Sequence, residues 1–241
     1  MRRLIVLIAI VGSMRANATA QQTATNIPDI TGSWERERDN SIPPQPQPPL
    51  KPDYLKPYQV KLQALREANA KGQPIAERVV MCLPDGMPGM MGGPFPMEVL
   101  QSKGQVTIIQ EAYTQVRRIL LDRPQRAVAD VEPGFYGYSV GHWDGGTLIV
   151  DTIGIKENVT YQNVPHSSEM HIKERISMGA NNLLRDEITI EDPATLEKPW
   201  TFIYAYRRMP DYQLLEYVCE DNREYADQNG VQKIRIPGSN K

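Results

Sequence analysis

Three histidines, His142, His166 and His171, are the only ones in the chain, and all fall inside the span 142–171. Imidazole titrates near neutral pH, which suits it to proton transfer, and it is a common ligand for transition metals. Trp143, Asp144, Asp151, Glu169 and Glu174 lie in or beside the same span. An acid–base site needs one imidazole held by a carboxylate. His142 and Asp151 can meet across a hairpin that turns at Asp144-Gly145-Gly146. In this reading His142 or His171 moves the proton and Glu174 or Asp151 orients it, while His166 sits in a long loop, 153–168, able to cover a barrel mouth. A metal site would draw on His166, His171 and Glu174. His171 and Glu174 are three apart, however, and on a strand they face opposite sides. No metal and no cofactor is therefore expected.

Charges at alternating positions extend the picture. Along 170–178, Glu174 shares a face with Met170, Ile172, Ile176 and Met178. Asp186 lies in the row Leu184, Ile188, Ile190, and Glu216 in the row Tyr212, Leu214, Val218. Over 115–122, Val116, Arg118 and Leu120 align, which points Arg118 inward to stabilise developing negative charge. An inward carboxylate is costly unless paired. Such a row is either a structural ion-pair network or a site inside the fold. Trp143, Tyr138, Glu216 and Asp186 are the candidates for ligand contact.

These residues need a scaffold of strands. From residue 97 the pattern alternates, with strands expected near 97–101, 104–112, 115–122, 137–143, 146–152, 170–178, 183–191, 200–208 and 212–220. Ile30-Thr31-Gly32-Ser33-Trp34 marks the start of a first strand. Short Gly- and Asn-rich separators imply antiparallel neighbours. The expected fold is mainly β, an antiparallel meander closed into a barrel, with a sandwich as the alternative. One helix is expected over 53–71, with Asp53 as a possible cap and Gly72 as its stop. Residues 43–57 hold seven prolines and read as an extended surface segment. Residues 83–96 are Gly- and Pro-rich. Their Met87, Met90 and Met91, flanked by Met81 and Met97, either line an apolar pocket or plug the core.

The chain begins Met1-Arg2-Arg3, continues with the apolar run Leu4–Gly12, and reaches Ala18-Thr19-Ala20. That order is a secretory signal peptide over 1–20, too short to span a bilayer, leaving 21–241 as a single barrel domain. The 27 basic and 29 acidic residues give a net charge of −2; without the three arginines of 1–20 it becomes −5. Such a surface has no call on nucleic acid, and no later segment is apolar enough to insert in a membrane. In an oxidising compartment Cys82 and Cys219 suggest one disulfide, two buried thiols being the alternative. No P-loop, dinucleotide fingerprint, nucleophile elbow or zincin pattern is present.

The segment Tyr138-Ser139-Val140-Gly141-His142-Trp143-Asp144-Gly145-Gly146-Thr147-Leu148-Ile149-Val150-Asp151-Thr152 resembles the core of a large family of exported bacterial proteins, mostly of unknown function. His166–Arg175, Glu191-Asp192-Pro193 and Lys198-Pro199-Trp200 share that resemblance, which covers about residues 80–222. The family pattern has an acidic residue where this chain has Gly146. Gly32-Ser33-Trp34 is similar to the Gly-x-Trp that opens lipocalin-like barrels. That second resemblance implies a small, often apolar ligand in the barrel mouth, and in some members isomerisation, cyclisation or elimination.

Three functions are compatible with these features. One is a small-molecule-binding barrel in the periplasm or secreted. Another is a cofactor-free lyase, isomerase or hydrolase acting on a cyclic natural product. The third is an envelope interaction protein that docks through the Pro-rich 43–57.

Overall fold

The structure is a computed structural model describing residues 27–37, 42–76, 82–219 and 224–234. The expected signal peptide and Met81 lie outside the described residues. Nine strands form a closed barrel in chain order: β1 (Gly32–Glu37), β2 (Met97–Ser102), β3 (Gln105–Gln110), β4 (Gln115–Leu121), β5 (Tyr138–Asp144), β6 (Thr147–Ile153), β7 (His171–Met178), β8 (Leu184–Glu191) and β9 (Trp200–Arg208). Two short strands, β10 (Glu224–Ala226) and β11 (Gln232–Ile234), pair with each other outside it. The mainly β barrel with one long helix thus matches the sequence reading, and most strand limits agree within two residues.

Two features depart from that reading. β4 and β5 pair in parallel, so the barrel is mixed rather than a pure antiparallel meander. A parallel neighbour needs a crossover of about a dozen residues or more, and the connection 122–137 supplies one. The expected strand at 212–220 does not form. β1 pairs with β9 and closes the barrel, so no edge remains for a further strand. Residues 212–218 instead run irregularly across the outside. There Tyr212 accepts a hydrogen bond from Ser33 through its carbonyl (2.8 Å) and donates its hydroxyl to Glu111 (2.6 Å).

Strand alternation decides the core. β8 alternates buried and half-buried without exception, and its buried row is Leu184, Asp186, Ile188, Ile190. On β9 the inward row is aromatic: Trp200, Phe202, Tyr204 and Tyr206. The β5–β6 hairpin turns on Gly145, whose φ of +57° is one an L side chain resists.

Helix α1 (Pro52–Ala70) packs through Tyr58, with Tyr54 and Leu62 beside it. Asp53 lies in its first turn but makes no cap; the proline at the start needs no donor there. Gly72 ends it at φ +66°. A short turn of helix, α2 (Gly89–Gly92), covers one end of the barrel. Met87, Met90 and Met91 are fully buried there, so the Met-rich stretch plugs the core. Cys82 and Cys219 form a disulfide, with Cα atoms 5.6 Å apart across a sequence separation of 137. It ties the start of the plug segment to the chain beyond β9. The Pro-rich segment lies along the barrel, where Pro46 accepts from the Trp200 indole (2.9 Å) and Leu50 bridges to Leu196. No helix among the described residues is long and apolar enough to cross a membrane.

Candidate functional site at the barrel mouth

The barrel interior carries charge. Arg117 on β4 and Glu174 on β7 are each 1% exposed. Arg117 Nη1 donates to Glu174 Oε1 at 2.7 Å, and Nη2 donates to Oε2. The same guanidinium reaches Thr152 Oγ1 (3.0 Å) and Ser139 Oγ (3.3 Å), and those two hydroxyls bond to each other at 2.7 Å. A buried ion pair is tolerable when its remaining donors are satisfied, and these are.

Asp186 differs. It is 0% exposed, and no donor among the described residues meets either carboxylate oxygen; its hydrogen-bond partner is the neighbouring Glu174 carboxylate. Burial pushes its carboxyl well above the usual range, and the nearby Glu174 carboxylate pushes the same way against the opposing pull of Arg117. Both effects favour the protonated form of Asp186. Strand register places it directly opposite Tyr204 on β9.

Tyr204 joins this interior to the surface. Its hydroxyl pairs with that of Tyr161, which donates to Gln45 Oε1 at 2.8 Å. The chain of donors thus runs Tyr204 to Tyr161 to Gln45. Burial, then the neighbouring Tyr161, keeps the Tyr204 phenol protonated. Arg36, on β1, lies 4.2 Å over the Tyr204 ring and donates to the Gly92 carbonyl. Phe202 stacks on Tyr161 with ring centres 5.4 Å apart.

Above these groups opens a cleft of about 790 Å³, with Tyr204 and Arg36 among its lining. Its walls come from α1, the 83–94 segment and the loop 158–163. The volume lies within the range of small-molecule sites. Glycine is needed at the plug: a Cβ on Gly92 would sit 2.6 Å from the Tyr204 hydroxyl, and one on Gly93 2.4 Å from Gln110 Nε2. Gly92 thereby lets the backbone approach the phenol.

The residues singled out from sequence scatter. Glu174 and Asp186 point inward as their alternation implied. Arg118 does not: it is exposed, and Arg117 occupies the interior instead. Apolar residues stand on both parities of β4, and the inward set is Gln115, Arg117, Ile119, Leu121, so the expected parity was off by one. Glu216 is exposed on the irregular 212–218 segment, not inside.

His142 is exposed on the outer face of β5. Asp151 stands opposite Val140, not His142, and instead bonds to His171 Nδ1 at 2.9 Å. This outer pair neighbours the Lys173–Glu191 ion pair (2.6 Å). His166 is half-buried, its ring nitrogens 3.1 Å from the Val159 carbonyl and 2.9 Å from that of Ser167. The crevice beside it holds about 20 Å³, room for about one water. The three histidines therefore do not converge. No group of three metal-ligating side chains occurs among the described residues. Tyr138 is covered by Arg126 at 4.6 Å, and Trp143 packs against the core near the β5–β6 turn.

The loop 153–168 does contribute to the mouth, through Asn158, Thr160, Tyr161, Gln162 and Asn163. Arg36, Gln45, Tyr161 and Tyr204 were not singled out by sequence. The aromatic row of β9 was the available signal, because four alternating rings on one strand face cannot all be solvent-facing. No protein-family model matches the chain, and no curated protein matches it in sequence.

Proposed function

We propose that this is an exported small-molecule-binding protein of lipocalin-like architecture whose ligand seats in the cleft at the barrel mouth. The observation that carries the reading is the cleft itself: about 790 Å³ of space lined by Tyr204, Tyr161 and Arg36, which are already held by hydrogen bonds and ring contacts. Polar groups already held in place in a concavity orient a ligand at little ordering cost. Export rests on the N-terminal signal pattern, on the disulfide and on the resemblance to exported bacterial proteins.

The test is native mass spectrometry after exposure to a low-molecular-weight extract of the producing cells. Wild type should retain an organic adduct of a few hundred daltons. Leu65→Trp, which fills the cleft from α1, should not. An adduct retained equally by both proteins would contradict the assignment.

A second reading, acid–base catalysis on the same scaffold, is favoured by one observation. Asp186 is a buried carboxyl met by no donor among the described residues, beside Glu174 and directly opposite Tyr204, and its surroundings favour the protonated form. A protonated carboxyl kept neutral by its surroundings can donate to a developing oxyanion. Its test is turnover of the captured ligand: Asp186→Asn should slow turnover at unchanged ligand affinity, and unchanged turnover would exclude the reading.

A further inference from the structure

We propose that the cleft takes an organic monocarboxylate and that Arg36 is the residue that receives its carboxylate. This deepens the cleft reading and rests on it. Arg36 makes no ion pair among the described residues. Arg208 has a similar neutral setting, over the Trp34 ring and against the Thr31 and Asp29 carbonyls, but is not among the cleft lining, while two other arginines are closed by acids. Arg117 is closed by Glu174, and Arg207 by Glu35 and Glu37. Arg36 is instead fixed by neutral groups, the Gly92 carbonyl at one nitrogen and the Tyr204 ring beneath its plane. A guanidinium oriented this way keeps its full charge and a donor edge for a planar anion.

The charges around it agree. From the cleft walls come Lys61 on α1 and Asp85 in the 83–94 segment, so with Arg36 the described lining carries one net positive charge in a chain of net −2. Below the floor lie two carboxyls that would repel an anion. Glu174 is neutralised by Arg117, and burial favours the uncharged form of Asp186. The negative charge beneath Arg36 is thus cancelled inside the barrel, and the site is left attractive to an anion.

The remaining lining describes the body of the ligand. Leu65, Leu83 and Pro94 offer apolar contact, and Gln45, Gln162 and Asn163 offer amides for hydroxyl or carbonyl groups. A carboxylate on a hydroxylated, partly apolar frame fits both sets.

The experiment is titration of the ¹⁵N-labelled full chain with three acids, 4-hydroxycinnamate, indole-3-acetate and decanoate, and with their methyl esters. At least one acid should shift the amides of Gly89, Gly92 and Gly93 and bind at least ~10-fold more tightly than its ester. Arg36→Met should erase that preference, and Arg36→Lys should retain part of it. An ester that binds as well as its acid, or a preference that survives Arg36→Met, would overturn the carboxylate assignment while leaving the cleft reading standing. Absence of any cleft shift with all six compounds would overturn both. The fold of each variant is checked by the Trp34 indole resonance, whose donor to the Ile30 carbonyl (3.0 Å) reports closure of β1.

Discussion

Asp186 on β8 and Tyr204 on β9 stand opposite each other inside the barrel, yet the Tyr204 hydroxyl turns away to Tyr161 and leaves the Asp186 carboxyl to the neighbouring Glu174. One residue of this cross-strand pair serves the cleft, and the other is a buried acid beneath it. Burying a second carboxyl beside Glu174 is a cost to stability, and such costs concentrate where function requires them.

The protonated state of Asp186 fixes the sign of a pH effect. Its folded value lies well above that of an ordinary carboxyl, so between the ordinary and the raised value the folded state binds the extra proton. Stability therefore falls as pH rises through that window. Asp186→Asn removes the titrating group. Thermal melts should show wild-type stability declining more steeply from pH 5 to pH 9 than that of Asp186→Asn. Parallel curves would mean that Asp186 does not carry the proton.

The Arg117–Glu174 pair behaves differently, because each partner depends on the other. Glu174→Gln leaves a buried guanidinium unpaired and should cost about 3–5 kcal/mol in urea unfolding. Replacing both residues by Met should cost much less than the sum of the two single changes, as a double-mutant cycle will read.

The outer histidine pair should matter little. His171 and Asp151 are about one-third exposed, and pairs of that kind contribute about 0–1 kcal/mol. His142→Ala and His171→Ala should leave the urea midpoint and ligand retention close to wild type. Loss of ligand in either variant would return the histidine face to consideration.

The Cys82–Cys219 bridge closes a long loop and anchors the plug segment. Substituting both residues by Ser should lower stability by about 2–5 kcal/mol. Native-state hydrogen exchange should then rise first at residues 83–93. Uniform exchange across the barrel would indicate that the bridge acts only globally.

Much of the scaffold is readable in the chain because strand alternation is a local property. Glu174 and Asp186 are buried as their apolar neighbours imply, since β7 and β8 are flanked by partners on both sides and have a single permissible register. β4 misleads because Val116, Ile119, Leu120 and Leu121 offer an apolar residue on either face. Its interior is chosen by Glu174, fifty-seven positions away, which requires Arg117. The site is less legible still. Arg36, Gln45, Tyr161 and Tyr204 come from four separate stretches and meet only when the barrel closes and the Pro-rich segment lies along it. The histidines cluster in sequence, but His142 and His171 face outward on β5 and β7, with β6 between them, while His166 turns into its loop. Proximity along the chain gave them no common pocket.

The most direct measurement is an amide chemical-shift map of the full chain on addition of the ligand retained from cell extract. The largest changes should fall at residues 89–93 and 158–163, with Arg36 and Tyr204 among the perturbed side chains. Changes centred on His142, Asp151 and His171, with the cleft unmoved, would contradict the account.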